Sequence, residues 1–433
     1  MSTAQLDRPE STVLPATSRV LRRVGQLRHT SPGRLRLILA ALVVLGLLTG
    51  LVAGLTAASA RAGTDDLEGR AQPLLVEAET VYSALADADT TAAQAFLAGG
   101  LEPAELTRRY EADLVRATTA LTSAARRTPA NGAAAAAIRT LSADIPRYAA
   151  LVASARANNR QGLPVGAAYL STASQLSRDS LQPHAQLLFR SAQAEVDDGY
   201  SRARSTAWTA LLVVLLLALL VTLVLAQRHL SRTTRRTFNV PLVAATGGTL
   251  LLTLATATVL VGQRAHLSSA GEQGSRPVAM LAEARILALR ERGDEALTLA
   301  ARAGEGSLET DFDETDRKLG ALLDDLAREV DVEAAVRERG DYVIAHDKVR
   351  ALDNGGNYEG AVKLAIGATT TRTFAGLTDG LGRALDGRKD VFTHEIAAAG
   401  QGLGLLTVLG PLLALAVCAL AAAGIRARLE EYR

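Results

Sequence analysis

Four long stretches without a charged residue constrain this chain more than any other feature. The first lies between Arg36 and Arg61, uncharged over 37–60, and the second between Arg204 and Arg228. The third lies between Arg236 and Arg264, and the fourth between Glu395 and Arg426. Each exceeds the roughly 20 apolar residues that span a bilayer core of about 30 Å. A buried soluble helix explains one such run but not four. The first also starts too late, and runs too long, for a cleaved signal peptide. The sequence therefore predicts an all-α membrane protein with transmembrane helices at 37–60, 205–227, 240–263 and 400–425.

The charges between these stretches predict a topology. Residues 1–36 carry seven arginines against two acids, and the loop 228–239 carries four arginines and no acid. The tail 426–433 has three arginines and two acids. The long segments differ: 61–204 holds 15 arginines and 16 acids, and 264–399 holds 18 basic and 25 acidic residues. By the positive-inside rule, the chain sits in the cell membrane with both termini and the short loop in the cytoplasm. Both long segments are then extracytoplasmic. Basic residues at membrane borders also meet anionic lipid. Nucleic acid is a poor partner for a chain with 3% aromatic residues. The preference for arginine over lysine, 43 to 4, reflects a GC-rich genome and carries no mechanism.

The two long segments lack strand alternation and are rich in helix formers. In the first, Gly99-Gly100 with Pro103, Thr128-Pro129 to Gly132, and Gly162 to Pro164 separate four helices, about 64–98, 103–128, 132–160 and 164–204. A four-helix bundle is the economical packing. The second segment follows the same plan. Pro73–Glu79 aligns with Pro277–Glu283, and the match runs on through Ala84/Ala288 to Gly100/Gly304. Further on, Tyr148 aligns with Tyr342, Arg156 with Arg350, and Gly162 with Gly356. Two blocks in the same order predict two four-helix bundles arranged as a parallel tandem repeat. One chain would then supply both halves of an intramolecular pseudo-dimer.

Within the membrane, Gly46, Gly50 and Gly54 set a small-residue face that lets helices approach closely. Thr246, Thr249, Thr253 and Thr256 form a polar stripe on the third span, and Gly410, Ala414, Cys418 and Ala422 a small stripe on the fourth beside Pro411. These are packing marks, static or sliding. No charged residue or histidine lies in the cores, which argues against a transport pathway.

Catalytic signatures are missing. The six histidines have no metal-ligand spacing, the single cysteine leaves no cysteine-based metal site, and no phosphate loop, nucleophile elbow or kinase motif is found. The abundant acids are read as helix-surface residues. The expectation is a protein that is not an enzyme and takes no cofactor or metal. In the cytoplasmic parts only Val20, Leu21, Val24 and Leu27 form an apolar stripe, suited to the membrane surface or to a partner. Any output must pass through protein contacts.

Ala84–Asp113 has an acidic helix, a Phe96-Leu97-Ala98-Gly99-Gly100 turn and an Arg-x-Tyr step, Arg108-Arg109-Tyr110. It is similar to the first hairpin of chemoreceptor-type sensor domains; the second copy departs, with Ala300 and Ala301 in place of Phe96 and Leu97. As a whole the chain resembles the actinobacterial GlnX family, in its basic N-terminus, two outer helical segments, four spans and lack of an output domain. That resemblance implies a relay. A solute-binding lipoprotein, GlnH, reports extracellular acidic amino acids, and the membrane protein passes that state to the soluble Ser/Thr kinase PknG. Candidate ligand or partner contacts outside are Arg108, Arg109, Tyr148, Arg156, Tyr342 and Arg350, for which ordinary packing is the competing account. Candidate kinase contacts inside are Arg22, Arg23, Arg235 and Arg236, which topology also explains. The alternatives to a relay are a direct small-molecule sensor and a cell-envelope scaffold.

Overall fold

The computed structural model describes residues 31–99, 102–204, 206–234, 239–301 and 306–430, and among them every regular element is helical. Chain contacts divide the protein into two compact units. The apolar unit takes the described parts of 1–61, 205–261 and 401–433; the second, here the larger unit, takes 62–204 and 262–400.

The apolar unit is built from α1 (Ser31–Asp66), α7 (Thr206–Thr234), α8 (Val240–Ser269) and α14 (Leu403–Glu430). All four belong to helical runs long and apolar enough to cross a membrane. Leucine and valine face outward along each, as at Leu51, Val214, Leu254 and Leu405, all more than half exposed. That is the inverse of a water-soluble surface and suits a lipid environment.

Small residues set the spacing inside this unit. A Cβ on Gly46 would lie 2.2 Å from Cys418 Sγ, one on Gly50 would lie 2.9 Å from the Ala414 Cβ, and one on Gly54 would lie 3.0 Å from Pro411 Cγ. The three glycines of α1 therefore seat the Pro411–Ala414–Cys418 face of α14. Where lipid supplies no hydrophobic drive, such close backbone approach is the main source of packing energy. Thr249 is buried and donates to Ala245 O at 2.9 Å; Thr253 is half-buried and donates to Thr249 O at 2.8 Å. Both hydroxyls are satisfied within their own helix, so they tie α8 to no neighbour. Thr256 is also buried. The cross-helix polar contacts come instead from Gln227 Nε2, which donates to Thr246 Oγ1 at 2.7 Å, and Asn239 Nδ2, which donates to Gly424 O at 2.9 Å.

The larger unit is formed by both long segments together, around one shared apolar core. The first segment supplies α2 (Gln72–Leu97), α3 (Ala104–Arg127), α4 (Ala133–Arg160), α5 (Val165–Leu176) and α6 (Gln182–Arg204). The second supplies α9 (Arg276–Ala301), α10 (Ser307–Leu326), α11 (Glu333–Asn354), α12 (Tyr358–Ala365) and α13 (Ala368–Ala399). In the first, α2 packs against α3 and α6; in the second, α9 packs against α10 and α13. α2 and α9 also pack on each other. Both are buried on nearly every face, as a helix central to a core must be.

Local geometry recurs in the two segments. Gly162 (φ +67°) and Gly356 (φ +79°) end α4 and α11 in the left-handed conformation that glycine adopts without a Cβ clash. In each case the next residue closes the turn: Leu163 N donates to Asn158 O at 3.0 Å, and Asn357 N to Leu352 O at 2.8 Å. Tyr148 and Tyr342 fill the two halves of the core. Each ring meets an aromatic neighbour at 6.5 Å, Tyr110 in one case and Phe312 in the other.

Three π-helical turns were not foreseen from the sequence, at Leu67–Ala71, Ser177–Leu181 and Ala270–Ser275. Each is followed two residues on by a proline: Pro73, Pro183 and Pro277. Proline donates no N–H, and in a regular α-helix its ring strikes the preceding turn. Widening that turn to i→i+5 bonding, as in Gln72 N to Leu67 O, lets the helix run past it. Pro146 within α4 and Pro411 within α14 are accommodated without such a turn, so proline alone does not dictate one.

Candidate functional site

Alongside the shared apolar core, buried polar residues join the two segments of the larger unit. Asp87 on α2 is almost fully enclosed, and Arg285 Nη2 on α9 donates to its Oδ2 at 2.7 Å. Arg109 and Arg116 reach the same carboxylate from α3, each at 3.4 Å. Lys389 Nζ on α13 lies 2.6 Å from the buried Glu79 Oε2. Thr90 Oγ1 donates to Leu289 O at 2.8 Å. Burying charge is costly unless each group is paired, so the Asp87–Arg285 and Thr90–Leu289 contacts favour one register of α2 on α9.

The acids were expected on helix surfaces, and the structure corrects that expectation. Glu79, Asp87, Asp113, Glu291, Asp294 and Glu295 are all buried. For all but Asp113, which lies on α3, the reason is the central position of α2 and α9, which leaves them almost no solvent face. Desolvation, and then the neighbouring Asp87, push the Asp113 carboxyl up to about 6. Glu291 is pushed well above the carboxylate range, chiefly by desolvation and then by Asp316, and neither of its oxygens has a hydrogen-bond partner.

A cleft of about 390 Å³ opens where α2 and the α5–α6 column of one segment meet α9 and α10 of the other. Tyr82, Asp89, Arg178, Gln182, Arg290 and Asp294 are among its lining residues. Asp89 Oδ1 accepts from Tyr148 Oη and Ser174 Oγ, both at 3.1 Å, and desolvation raises its carboxyl. Arg178 Nη1 donates to Asp294 Oδ1 at 3.2 Å across the two segments. Asp294 Oδ2 has no hydrogen-bond partner, and Arg290 Nε stands 3.8 Å away. Desolvation pushes Asp294 up to about 7 against the pull of Arg178 and Arg290. The cleft thus combines an apolar wall, cations and incompletely matched acceptors, the usual make-up of a small-molecule site.

A second buried cluster lies wholly within the second segment. His346 is enclosed, with Nδ1 2.8 Å from Glu295 Oε2 and Nε2 3.2 Å from Glu309 Oε1. Its ring stacks on Phe312 at 3.6 Å. Arg292 braces Glu295 at 2.6 Å and donates to Ala365 O at 2.7 Å, while Arg350 Nε lies 3.0 Å from Glu309 Oε2. Desolvation would lower the His346 pKa, but the two carboxylates outweigh it and raise the pKa. At the spacing that pairs Tyr148 with Tyr342, His346 pairs with the apolar Val152, so this cluster belongs to one segment alone.

The candidate contact residues fall elsewhere than the cleft lining. Arg108 is exposed and pairs with Glu105 on its own helix. Arg109 braces Asp87. Tyr148 is fully buried beneath the cleft and reaches it only through Asp89. Arg156 binds Glu102 and Thr107 and lies over the Tyr110 ring at 5.3 Å. Tyr342 is fully buried, and Arg350 ties Glu309 to Asp353. Arg22, Arg23, Arg235 and Arg236 lie outside the described residues. Among the described residues no group of three or more acids, histidines or cysteines is placed to hold a metal ion.

One signal in the sequence pointed to the buried charges. α2 contains four acids and no basic residue, so its counter-charges have to come from other helices. On α9 the run Arg290–Glu295 carries charge around the whole helix, so some of it must turn inward.

Residues 63–201 match the family described as an actinobacterial sensor domain. The matched region contributes α2 and the α5–α6 column to the cleft, and it supports a sensing role for an actinobacterial protein. No curated protein gives a significant match to the chain.

Proposed function

We propose that this protein is a non-enzymatic transmembrane sensor that reads a solute outside the cell and hands the result to a cytoplasmic partner. The observation that carries this reading is the cleft shared by the two segments. A ligand there touches both α2 and α9, so occupancy bears directly on how the segments pack. A tandem duplication is supported by the recurring glycine turns and aromatic pairs, and the unit then acts as a pseudo-dimer within one chain. The arginine-rich borders at 1–36 and 228–239 support cytoplasmic termini, with both segments outside.

The resemblance to the GlnX family makes the solute an amino acid and the inner partner a soluble Ser/Thr kinase of the PknG kind. A second reading has the solute arrive on a GlnH-like binding lipoprotein that docks on the larger unit. Exposed Leu163, Val165 and Tyr169, close together at the α4–α5 turn, favour that reading. Mild crosslinking in native membranes, with and without aspartate and glutamate, tests both. Co-purification of a kinase whose recovery changes with the amino acid is the expected result. A binding lipoprotein in the same complex would select the second reading. Recovery of neither, or recovery indifferent to the amino acids, would refute the relay and leave a constitutive scaffold.

A further inference from the structure

Several of the polar groups in the cleft already have partners. Asp89 Oδ1 accepts from Tyr148 and Ser174, and Arg178 is held by Asp294 Oδ1. What remains inside is acceptor capacity: Asp294 Oδ2 and Gln182 Oε1 are buried, line the cleft and have no hydrogen-bond partner. The Asp294 side chain is only 3% exposed. The cations that could draw an anion are placed differently. The Arg290 side chain is 49% exposed, and that of Lys318 is 61% exposed and paired with Glu314. Exposed cations are screened by water and salt and hold an anion weakly, whereas a dry carboxylate oxygen gains most from a cationic donor.

We infer that the cleft binds a small organic ammonium, its nitrogen donating to Asp294 Oδ2 and Gln182 Oε1 while the carbon body lies against Tyr82 and Ile286. This rests on the sensing role proposed above and specifies the chemistry of its ligand. Two common solutes carry that group, a free amino acid and a polyamine. An amino acid would also place its carboxylate near Arg290.

Binding should release protons. Asp294 faces Arg178, Arg290, Asp311 and Asp89, and its carboxyl stands at about 7, so near neutral pH much of it is protonated. An ammonium favours the ionised form and expels that proton. A neutral or anionic ligand would not.

The test is calorimetric titration of the full chain in lipid nanodiscs at pH 7 with glutamate, putrescine and succinate, each in two buffers of different ionisation enthalpy. The expected result is binding of glutamate or putrescine with proton release, and none of succinate, which has carboxylates but no ammonium. Putrescine without glutamate identifies an amine ligand; glutamate without putrescine identifies an amino acid. Asp294→Asn should weaken binding at least tenfold and abolish the proton release. Gln182→Glu, which adds a charge where the ammonium sits, should tighten it several-fold, so the proposal does not depend on a loss alone. Binding of succinate in preference to both ammonium compounds overturns the ligand class and leaves the sensing role intact. Binding of none of the three at millimolar concentration also overturns the ligand class, while the sensing role is still decided by the crosslinking experiment.

Discussion

The Asp87–Arg285 pair should be the strongest single tie between the two segments. The Asp87 side chain is 1% exposed and that of Arg285 16%, at 2.7 Å, so the pair is largely removed from water. Removing one partner of such a pair costs about 3–5 kcal/mol, because it strands the other charge. Asp87→Ala strands Arg285, and the full cost is expected. Arg285→Met leaves Asp87 with Arg109 and Arg116 at 3.4 Å, both around half exposed, so its cost should fall toward the lower end of that range. The double variant Asp87→Leu/Arg285→Met strands neither group and should recover most of the loss, since apolar replacement of a buried pair is often neutral or better. Unfolding of the purified full chain, followed by circular dichroism, provides the assay. The Asp87→Ala loss corresponds to a fall in Tm of roughly 6–10 °C at about 2 °C per kcal/mol for a large domain. Single variants that each cost less than about 1 kcal/mol, or a double variant as damaged as the two singles combined, would refute the argument.

Three further outcomes follow from the same structure. Gly50→Leu should separate α1 from α14, since a Cβ there already lies 2.9 Å from Ala414 Cβ; a loss of about 1–3 kcal/mol is expected, while Gly247→Ala, with open space around it, should be neutral or slightly stabilising in the same melt. His346 has a pKa raised above its ordinary 6.5, so its contribution is complete below about that pH and is lost as pH rises through the folded value; His346→Gln should flatten the stability profile above pH 6.5, and an unchanged slope would contradict the Glu295–His346–Glu309 account. Glu291 is also raised, in an acid, so the native state holds a proton that the unfolded state gives up and stability falls as pH climbs past the ordinary carboxylate range; Glu291→Gln should match the parent at low pH and be more stable at pH 8, as read by urea denaturation at the two pH values.

Different parts of this structure were legible in the sequence to different degrees. The four apolar helices and the turns at Gly99, Gly132 and Gly162 could be read, because a bilayer demands long apolar runs and a left-handed turn residue demands glycine. The face of Gly46, Gly50 and Gly54 and the stripe with Ala414 and Cys418 on α14 could each be marked, though not that they meet, because helix spacing gives a direction and no neighbour. The π-turns were hidden because proline announces a break and not the bonding that absorbs it. The cleft was hidden for a deeper reason. Asp89, Gln182 and Asp294 lie far apart in sequence and read as the polar face of ordinary helices. Only the packing of α2 on α9 turns that face inward. The arginines and tyrosines singled out by their recurrence make their polar and ring contacts within their own segments.

Hydrogen exchange of the full chain in lipid nanodiscs, with and without glutamate or putrescine, tests the central claim most directly. If a solute is read between the two segments, exchange should slow at 82–90 on α2 and at 286–297 on α9 together, with α3 and α11 little changed. Protection confined to one segment, or no change in α2 and α9 under a solute that does alter recovery of the cytoplasmic partner, would contradict it.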